Sequence, residues 1–215
     1  MMHIYTNYLL GHNFVDFENS TPVPTLVSQA YGTVLDLGAG SGNQLPRFDA
    51  DKLDRVYGIE FNPTLIPALN DKIKETGLED IYTPLVCRVE DADKALEQEG
   101  VKAGSVDSIV CIQLLCSIDD ITAVVQKLHG LLKPGGEFIF WEHQEHETDW
   151  MTRMAQGFWN ILWSPVIGHC KLNSPTRKKL LAAVDWEVVE LGEDVEGPLD
   201  LMPRVWGRLK KKSQD

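Results

Sequence analysis

The chain has 215 residues, of which 43% are hydrophobic, and it carries a formal net charge of −12 at pH 7. This length suits one domain with a substantial core, and the negative charge disfavours nucleic acid as a partner because phosphate binding needs clustered Lys and Arg. No apolar run approaches the roughly 20 residues of a membrane helix, and no basic leader opens the sequence, so we expect no transmembrane segment and a cytoplasmic location.

From residue 33 onward, short apolar runs alternate with helical patterns. The runs predict strands at Thr33–Leu37, Arg55–Glu60, Tyr82–Val89, Ser105–Gln113 and Glu137–Glu142. The segments between them predict helices at Asn43–Phe48, Asn62–Thr76, Asp91–Gln98 and Asp119–Leu132. Because strands and helices take turns, and because the strands are continuously apolar, the pattern predicts an α/β fold with a parallel sheet covered by helices on both faces.

A segment rich in Trp, Met and His follows the last of these strands and is predicted to be a substrate-side insertion. A further helix is expected over Ser174–Ala183, followed by closing strands at Trp186–Leu191 and Arg204–Leu209. The residues before the sheet are predicted to form a lid. We therefore expect a single domain made of a lid, a cofactor-binding core, an insertion and closing elements, at residues 1–30, 31–142, 143–173 and 174–215.

A glycine-rich turn, Gly38-x-Gly40-x-Gly42, follows the first predicted strand, and Asp36 stands two residues before it. Glycine in such a turn can adopt positive φ and lets a ligand contact the main chain, although an ordinary tight turn is the alternative. A dinucleotide favours G-x-G-x-x-G, but Asn43 occupies the position of the third glycine, and the Asp36 carboxylate would repel a pyrophosphate. The pattern therefore favours a ligand with a positive amine.

S-adenosylmethionine fits this description, since it carries an amine and a sulfonium and has no phosphate. Glu60 ends the second predicted strand, 24 residues after Asp36, where an acid can accept hydrogen bonds from both ribose hydroxyls. The carboxyl ends of parallel strands meet at one edge of a sheet, so we expect the residues that follow the fourth and fifth strands to surround the same ligand.

These residues, together with L-L-K-P-G-G-E-F at Leu131–Phe138, resemble the class I S-adenosylmethionine-dependent methyltransferases over Thr33–Glu142. The resemblance implies a Rossmann-like, seven-stranded, mostly parallel sheet whose last strand is antiparallel. The sequence is more closely similar to the branch that contains the mammalian alkyl thiol methyltransferases, although we expect it to lack the hydrophobic N-terminal anchor of that branch. The residues that carry this similarity are Ser105–Ile118, Leu132–His143, Gly168–Leu172 and Arg204–Gly207. Many members of the family place an Asp after the third strand, where this sequence has Arg88.

The predicted cofactor is S-adenosyl-L-methionine, with S-adenosyl-L-homocysteine as its product. The expected cofactor-binding residues lie at the carboxyl ends of the first four strands and in the turns after them, and are Asp36, Gly38, Ala39, Gly40, Gly42, Glu60, Phe61, Asn62, Val89, Glu90, Gln113, Leu114 and Leu115. The expected substrate-binding residues come from the lid, the insertion and the segment after it, and are Tyr5, Tyr8, Trp150, Phe158, Trp159 and Cys170. The aromatic stripe of the insertion has helical spacing, so the alternative is that it packs in the core. No metal is predicted.

His143 is the first candidate for a general base because it follows the fifth strand and because histidine titrates near physiological pH. Glu142 and His146 are the other candidate catalytic residues, and the alternative for His143 is a packing role. A thiol acceptor needs less help from a base, since part of it is ionised near neutral pH.

The expected function is methyl transfer from S-adenosylmethionine to a small, rather apolar molecule, with thiol sulfur favoured through the branch resemblance alone. The alternatives are an O- or N-methyltransferase of a secondary metabolite or lipid headgroup, and a non-catalytic cofactor-binding partner that regulates another protein. A small-molecule acceptor is the expected partner, and the oligomeric state is left open.

Overall fold

A computed structural model describes residues 12–194, 197 and 199–213. Its helices are α1 (His12–Asn19), α2 (Val23–Val27), α3 (Ile66–Thr76), α4 (Ala92–Gln98), α5 (Ile121–Leu131), α6 (Trp150–Trp163) and α7 (Thr176–Ala183). Its strands are β1 (Gly32–Leu37), β2 (Leu53–Glu60), β3 (Tyr82–Val86), β4 (Val106–Ile112), β5 (Leu132–His143), β6 (Trp186–Asp194) and β7 (Arg204–Lys211). None of the described helices combines the length and the apolar character needed to cross a membrane.

The seven strands form one sheet in the order β3-β2-β1-β4-β5-β7-β6. Strands β1 to β5 pair in parallel, and β7 runs antiparallel to both of its neighbours. This arrangement confirms the predicted fold class. The chain leaves β1 toward β2 on one side and returns to β4 on the other, so the carboxyl end of β1 is the switch point where open α/β sheets bind ligands.

The core lies on both faces of the sheet because each strand sends alternate side chains to opposite sides. Leu35, Ile109 and Phe138 belong to the hydrophobic cluster on one face, which packs against α4, α5 and α7. Val110 and Trp141 belong to the cluster on the other face, beneath α2 and α3. The continuous apolar runs of the central strands therefore reflect burial on both sides.

Several predicted boundaries differ from the structure. The predicted helix Asn43–Phe48 is wrong, because only a 3-10 turn at Leu45–Arg47 forms there, with Pro46 in its first turn. The helix expected from Asn62 begins at Ile66, since the Asn62 side chain accepts hydrogen bonds from Thr64 and holds a turn instead. The predicted third strand ends at Val86 rather than Val89. The predicted division into lid, core, insertion and closing elements stays a prediction.

A buried hydrogen bond crosses the first three strands of the sheet. The Tyr82 hydroxyl donates to Asp36 Oδ2 over 2.8 Å, and it reaches Asp36 because Gly58, between them on β2, has no side chain. A Cβ at Gly58 would lie 2.1 Å from the Tyr82 hydroxyl oxygen. Burial is the main cause that raises the pKa of Asp36 from its ordinary 3.8 to about 6, although the hydrogen bond from Tyr82 lowers it.

This raised pKa predicts a cost in stability that appears as pH rises. The folded state holds the Asp36 proton to about pH 6 while the unfolded chain loses it near 3.8, so ionisation costs roughly 3 kcal/mol above pH 6 at about 1.36 kcal/mol per pKa unit. Asp36→Asn should therefore raise the free energy of unfolding, relative to the parent, by on the order of 1 kcal/mol more at pH 8 than at pH 5. Denaturant unfolding at both pH values measures this difference.

Tyr82→Phe is the matched control, because it removes a hydrogen bond that favours the charged carboxylate. This variant should lose more stability at pH 8 than at pH 5, the reverse of Asp36→Asn. An Asp36→Asn effect that is the same at both pH values would contradict the assignment of the cost to the buried carboxylate.

Candidate functional site

Two adjacent pockets lie at the carboxyl edge of the sheet and share Gly38, Phe61 and Leu114. The first pocket is lined also by Phe14, Glu18, Leu37, Ala39, Gly40, Ser41, Asn43, Gln44, Glu60, Ile112 and Gln113. The second is lined also by Ile59, Cys87, Arg88, Val89, Glu90, Ser117, Ile118, Gly168 and His169. The structure thus brings together predicted residues from the ends of β1, β2 and β4 and from the turn after β3.

The glycine turn adopts the conformation that its composition predicts. Gly38, Gly40 and Gly42 have φ values of 71°, 58° and 89°. A Cβ on Gly42 would lie 2.9 Å from Lys72 Cγ, so this glycine is needed where the turn packs on α3. A Cβ on Gly40 would meet nothing closer than 3.7 Å, which leaves this part of the main chain open to the first pocket.

Glu60 joins the glycine turn to the segment that follows β2. Its carboxylate accepts hydrogen bonds from the backbone N–H groups of Gly40, over 2.9 Å, and Asn62, over 2.7 Å. Burial raises the pKa of this carboxyl, and the backbone N–H donors act in the opposite direction. A carboxylate oxygen has a second lone pair, so each oxygen can still accept a hydroxyl from a ligand in the pocket.

Asp36 is buried behind the glycine turn and lines neither pocket. One of its oxygens is occupied by the Tyr82 hydroxyl. The predicted contact of Asp36 with the ligand amine stays a prediction, and the described contact of its carboxylate is the hydrogen bond that joins β1 to Tyr82 on β3.

Glu18, on α1, was missed by the sequence analysis and lies in the first pocket. It is 1% exposed and forms a 3.0 Å ion pair with Arg47. The side-chain amides of Gln44 and Gln113 donate to its Oε1 over 3.3 and 3.4 Å. Burial raises the pKa of Glu18 more than Arg47 lowers it. No motif marks this residue, because its burial depends on how α1 packs over the sheet.

The end of β4 supplies a strained residue to the same pocket. Gln113 has a φ of 57°, a left-handed conformation that is uncommon for residues other than glycine. Its backbone N–H donates to the carbonyl of Trp141, and its side chain reaches Glu18. The strain therefore accompanies a side chain that is aimed into the pocket.

The charge of the first pocket decides what it can hold. Among the described lining residues, the charged side chains are Glu18 and Glu60, and none is Lys or Arg. Such a lining disfavours a pyrophosphate and suits an ammonium group and a ribose diol. The donors and acceptors present therefore fit S-adenosylmethionine better than a dinucleotide.

The predicted catalytic residue Glu142 lies at the end of β5, fully buried and outside both pocket linings. Its Oε1 accepts from the backbone N–H groups of Leu114, over 2.9 Å, and Leu115, over 3.0 Å. Burial raises the pKa of this carboxyl to about 7, against the lowering effect of these N–H donors. The geometry favours a positioning role for Glu142, which holds the turn after β4. Leu114, in this turn, lines both pockets.

His143 and His146 are also buried and outside both linings. His143 Nδ1 lies 3.3 Å from the Sγ of Cys170. Cys170, which the sequence predicts to bind the substrate, is buried in the structure. His146 Nδ1 accepts the backbone N–H of Asp149 over 3.0 Å, which fixes the start of α6. The catalytic assignments of both histidines stay predictions, and the structure does not bring either ring to the two pockets.

The aromatic stripe of α6 points away from the core, so the packing alternative is wrong. Trp150, Phe158 and Trp159 are 62%, 66% and 47% exposed, whereas Thr152 and Gln156 on the opposite side of the helix are fully buried. Trp159 lines a separate apolar groove of about 430 Å³ together with Leu162, Trp163, Val166, Ile167, Leu172, Leu201 and Met202. The predicted substrate contacts Tyr5 and Tyr8 lie outside the described residues.

A family model described as "Methyltransferase domain" matches residues 16–191. The human thiol S-methyltransferase TMT1B is 27% identical over 147 residues, which are 68% of this chain and 57% of that protein. The ubiquinone biosynthesis O-methyltransferase of Xanthomonas axonopodis pv. citri (strain 306) is 33% identical over 120 residues, which are 54% of this chain and 45% of that protein. The chain thus matches less than two thirds of the length of either relative.

The fold is shared with solved structures of low sequence identity. A putative methyltransferase (BH2331) from Bacillus halodurans C-125 gives a TM-score of 0.68 at 13% identity, covering 89% of this chain and 99% of that one. Geranyl diphosphate C-methyltransferase from Streptomyces coelicolor A3(2), solved with S-adenosyl-L-homocysteine, gives 0.66 at 14% identity, covering 96% and 83%. These likenesses show the architecture and leave the acceptor open.

The two glycines provide a matched test of the first pocket. Gly40→Ala places a methyl group in open space at a cost of about 1–2 kcal/mol for the left-handed conformation, so the protein should stay folded. The methyl group should, however, block a ligand on the main chain and lower the affinity for S-adenosyl-L-homocysteine at least tenfold in calorimetry. Gly42→Ala should instead lower the melting temperature more strongly, because its Cβ meets Lys72 and Leu69.

A folded Gly40→Ala protein that binds S-adenosyl-L-homocysteine as tightly as the parent would place the ligand elsewhere. Circular dichroism and the unfolding midpoint of each variant show whether a loss of binding reflects the pocket or the fold.

Proposed function

The chain belongs to the methyltransferase-domain family of class I S-adenosylmethionine-dependent enzymes, and we propose that it methylates a small, rather apolar acceptor, with thiol sulfur as the favoured acceptor atom. The observation that carries the proposal is the acidic pocket at the glycine turn, where Glu18 and Glu60 face the open main chain of Gly40. This lining suits an amino acid and a ribose rather than phosphates.

The cofactor is S-adenosyl-L-methionine, which when bound supplies a methyl carbon activated by the sulfonium. The main chain of the turn at residues 38–42 would hold the methionine part. Glu60 would accept the ribose hydroxyls, and Glu18, helped by Gln113, would face the ammonium group. Val89 and Glu90, in the second pocket, would contact the adenine beside Arg88.

The chain's own residues contribute alignment and exclusion of water, which are the main demands of an in-line displacement at carbon. Phe14, Phe61 and Leu114 provide apolar walls around the polar groups of the first pocket. Glu142 fixes the turn that carries Leu114 through its hydrogen bonds to two backbone N–H groups. A displaced Leu114 would open both pockets, because it lines each of them.

The thiol proposal rests on two observations. The thiol S-methyltransferase TMT1B of human matches 68% of this chain. In the first pocket, the described acidic side chains, Glu18 and Glu60, both accept hydrogen bonds from the protein and are assigned above to the cofactor, so neither is left as a base for the acceptor. A thiol is partly ionised near neutral pH and needs less assistance than an alcohol or a phenol.

Oxygen is the second candidate acceptor atom, because ubiquinone biosynthesis O-methyltransferases of Xanthomonas are 33% identical over a shorter stretch. Such an acceptor would need a base, for which His143 would have to reach the pocket. The described position of His143, beside Cys170, favours sulfur over oxygen.

A direct assay compares an alkyl thiol with the alcohol of the same chain length and with a phenol, by release of S-adenosyl-L-homocysteine. We expect turnover of the thiol at least tenfold above both oxygen acceptors. The rate should rise with pH as the thiolate fraction grows, up to the pKa of the acceptor. Gly40→Ala is the control, and at a subsaturating concentration of S-adenosyl-L-methionine it should lower the turnover of every acceptor by a similar factor, at least tenfold.

Turnover of the phenol alone would replace sulfur by oxygen as the acceptor atom. A chain that binds neither S-adenosyl-L-methionine nor S-adenosyl-L-homocysteine in calorimetry would overturn the whole proposal.

Glu142 offers a separate test of positioning against base catalysis. Glu142→Gln keeps an oxygen that accepts from Leu114 and Leu115, so kcat should stay within about threefold of the parent, whereas a lost general base costs about 10²–10⁴-fold. Glu142→Ala removes both hydrogen bonds and should raise the KM for S-adenosyl-L-methionine. Steady-state kinetics across pH 6–9 distinguish the two roles. If Glu142 were a general base with a pKa of about 7, kcat would change with pH around this value in the parent and not in Glu142→Gln.

A further inference from the structure

Three side chains from distant parts of the chain meet beside the second pocket. Cys116 lies in the 3-10 turn after β4, His143 ends β5, and Cys170 lies in the segment between α6 and α7. One ligand atom from each residue lies within 4.8 Å of the other two, and the residues are 1%, 3% and 4% exposed. The cluster lines neither pocket of the cofactor site.

We propose that Cys116, His143 and Cys170 bind one Zn²⁺ ion. Two thiolates and an imidazole are a three-residue ligand set that zinc takes in proteins, with a water molecule in the fourth position of the tetrahedron. In a tetrahedral site with Zn–S bonds of about 2.3 Å, two sulfur ligands lie about 3.8 Å apart. His143 Nδ1 and Cys170 Sγ lie 3.3 Å apart, and the other pairs of ligand atoms lie at most 4.8 Å apart. Side-chain adjustments alone would bring these atoms to the tetrahedral geometry.

The charge balance of the cluster selects the ion. Binding of Zn²⁺ to two cysteines releases two thiol protons, and the resulting site of one divalent cation and two thiolates is electrically neutral. A neutral site costs little to bury, whereas Cu⁺ with the same ligands would leave a buried negative charge. Mg²⁺ and Ca²⁺ are disfavoured because the cluster offers no oxygen ligand.

The ion would join the three segments that carry its ligands. The main chains of two of them already meet, because the Lys171 N–H donates to the Cys116 carbonyl over 3.0 Å. Ser117, next to the first cysteine, and His169, next to the second, both line the second pocket. The ion would thus hold the wall of the proposed adenine site without touching the cofactor, so its role is structural.

The sequence predicted no metal because the ligands are widely separated along the chain and lack the close pairs of a zinc motif. A Cys116–Cys170 disulfide is the competing use of the same two sulfurs. A zinc-bound His143 could not act as the base of an oxygen acceptor, so the proposal agrees with a thiol acceptor. The zinc content is measured without any acceptor, so the two proposals can fail separately.

The test measures zinc in the purified full chain. Protein produced in zinc-supplemented medium and dialysed should hold about one Zn²⁺ per chain by mass spectrometry, released when a mercurial reagent blocks the thiols. Cys116→Ser and Cys170→Ser should each retain under one fifth of this amount. Cys111→Ser is the matched control, since Cys111 is also buried but bonds Glu142 outside the cluster, and it should retain the full amount.

Co²⁺ substitution of the parent provides a readout that does not rely on the folding of variants. The zinc-depleted, reduced protein titrated with Co²⁺ should show the visible bands of a tetrahedral ion and a thiolate-to-cobalt charge-transfer band, saturating at one equivalent. Loss of the zinc should also lower the melting temperature and weaken the binding of S-adenosyl-L-homocysteine. Absence of the charge-transfer band, zinc retained equally by both cysteine variants, or a Cys116–Cys170 disulfide in metal-free protein purified without reductant would each overturn the proposal.

Discussion

The site depends on carboxylates that are buried at strand ends. Most of these carboxylates have no cation beside them. Asp36, Glu60 and Glu142 lie at or near the carboxyl ends of β1, β2 and β5, and burial raises the pKa of each. Protein N–H and O–H donors compensate for the lost water: a tyrosine hydroxyl for Asp36, and backbone N–H groups for Glu60 and Glu142. Because a buried acceptor without a donor is costly, each acid fixes the turn or strand that supplies its donors.

This constraint links fold, pocket and chemistry. The turns after β1 and β4 are held by Glu60 and Glu142, and their main chains and side chains then line the first pocket. Glu60 and Glu18 are the acids that line the first pocket, and this lining favours an amine and a diol over phosphates. Solved structures at 13–14% identity share the architecture, so the sheet tolerates wide variation in sequence.

The segment after β5 shows why the residues that would bind the acceptor are harder to derive from the sequence. The spacing of its aromatic residues indicates an amphipathic helix, and α6 forms, but the polar face is the buried one. Thr152 accepts a hydrogen bond from the Leu199 N–H, and Gln156 bonds the main chain of His146 and Leu201, so distant segments supply polar partners that the local sequence pattern does not predict. The apolar groove beside Trp159 lies on the exposed side of the same helix.

The sequence by itself determined the order of strands and helices, the parallel sheet and the glycine turn with Glu60 beside it, because alternating apolar runs and positive-φ glycines are local properties. Its misplaced helix at Asn43–Phe48 was also local, since Pro46 outweighed the apparent helical pattern. Only the tertiary structure decided that Glu18 enters the pocket, that His143 turns to Cys170, and that Cys116 joins them. These contacts join residues far apart in the chain, and their existence depends on how α1 and the segment after α6 pack on the sheet, which no periodicity encodes.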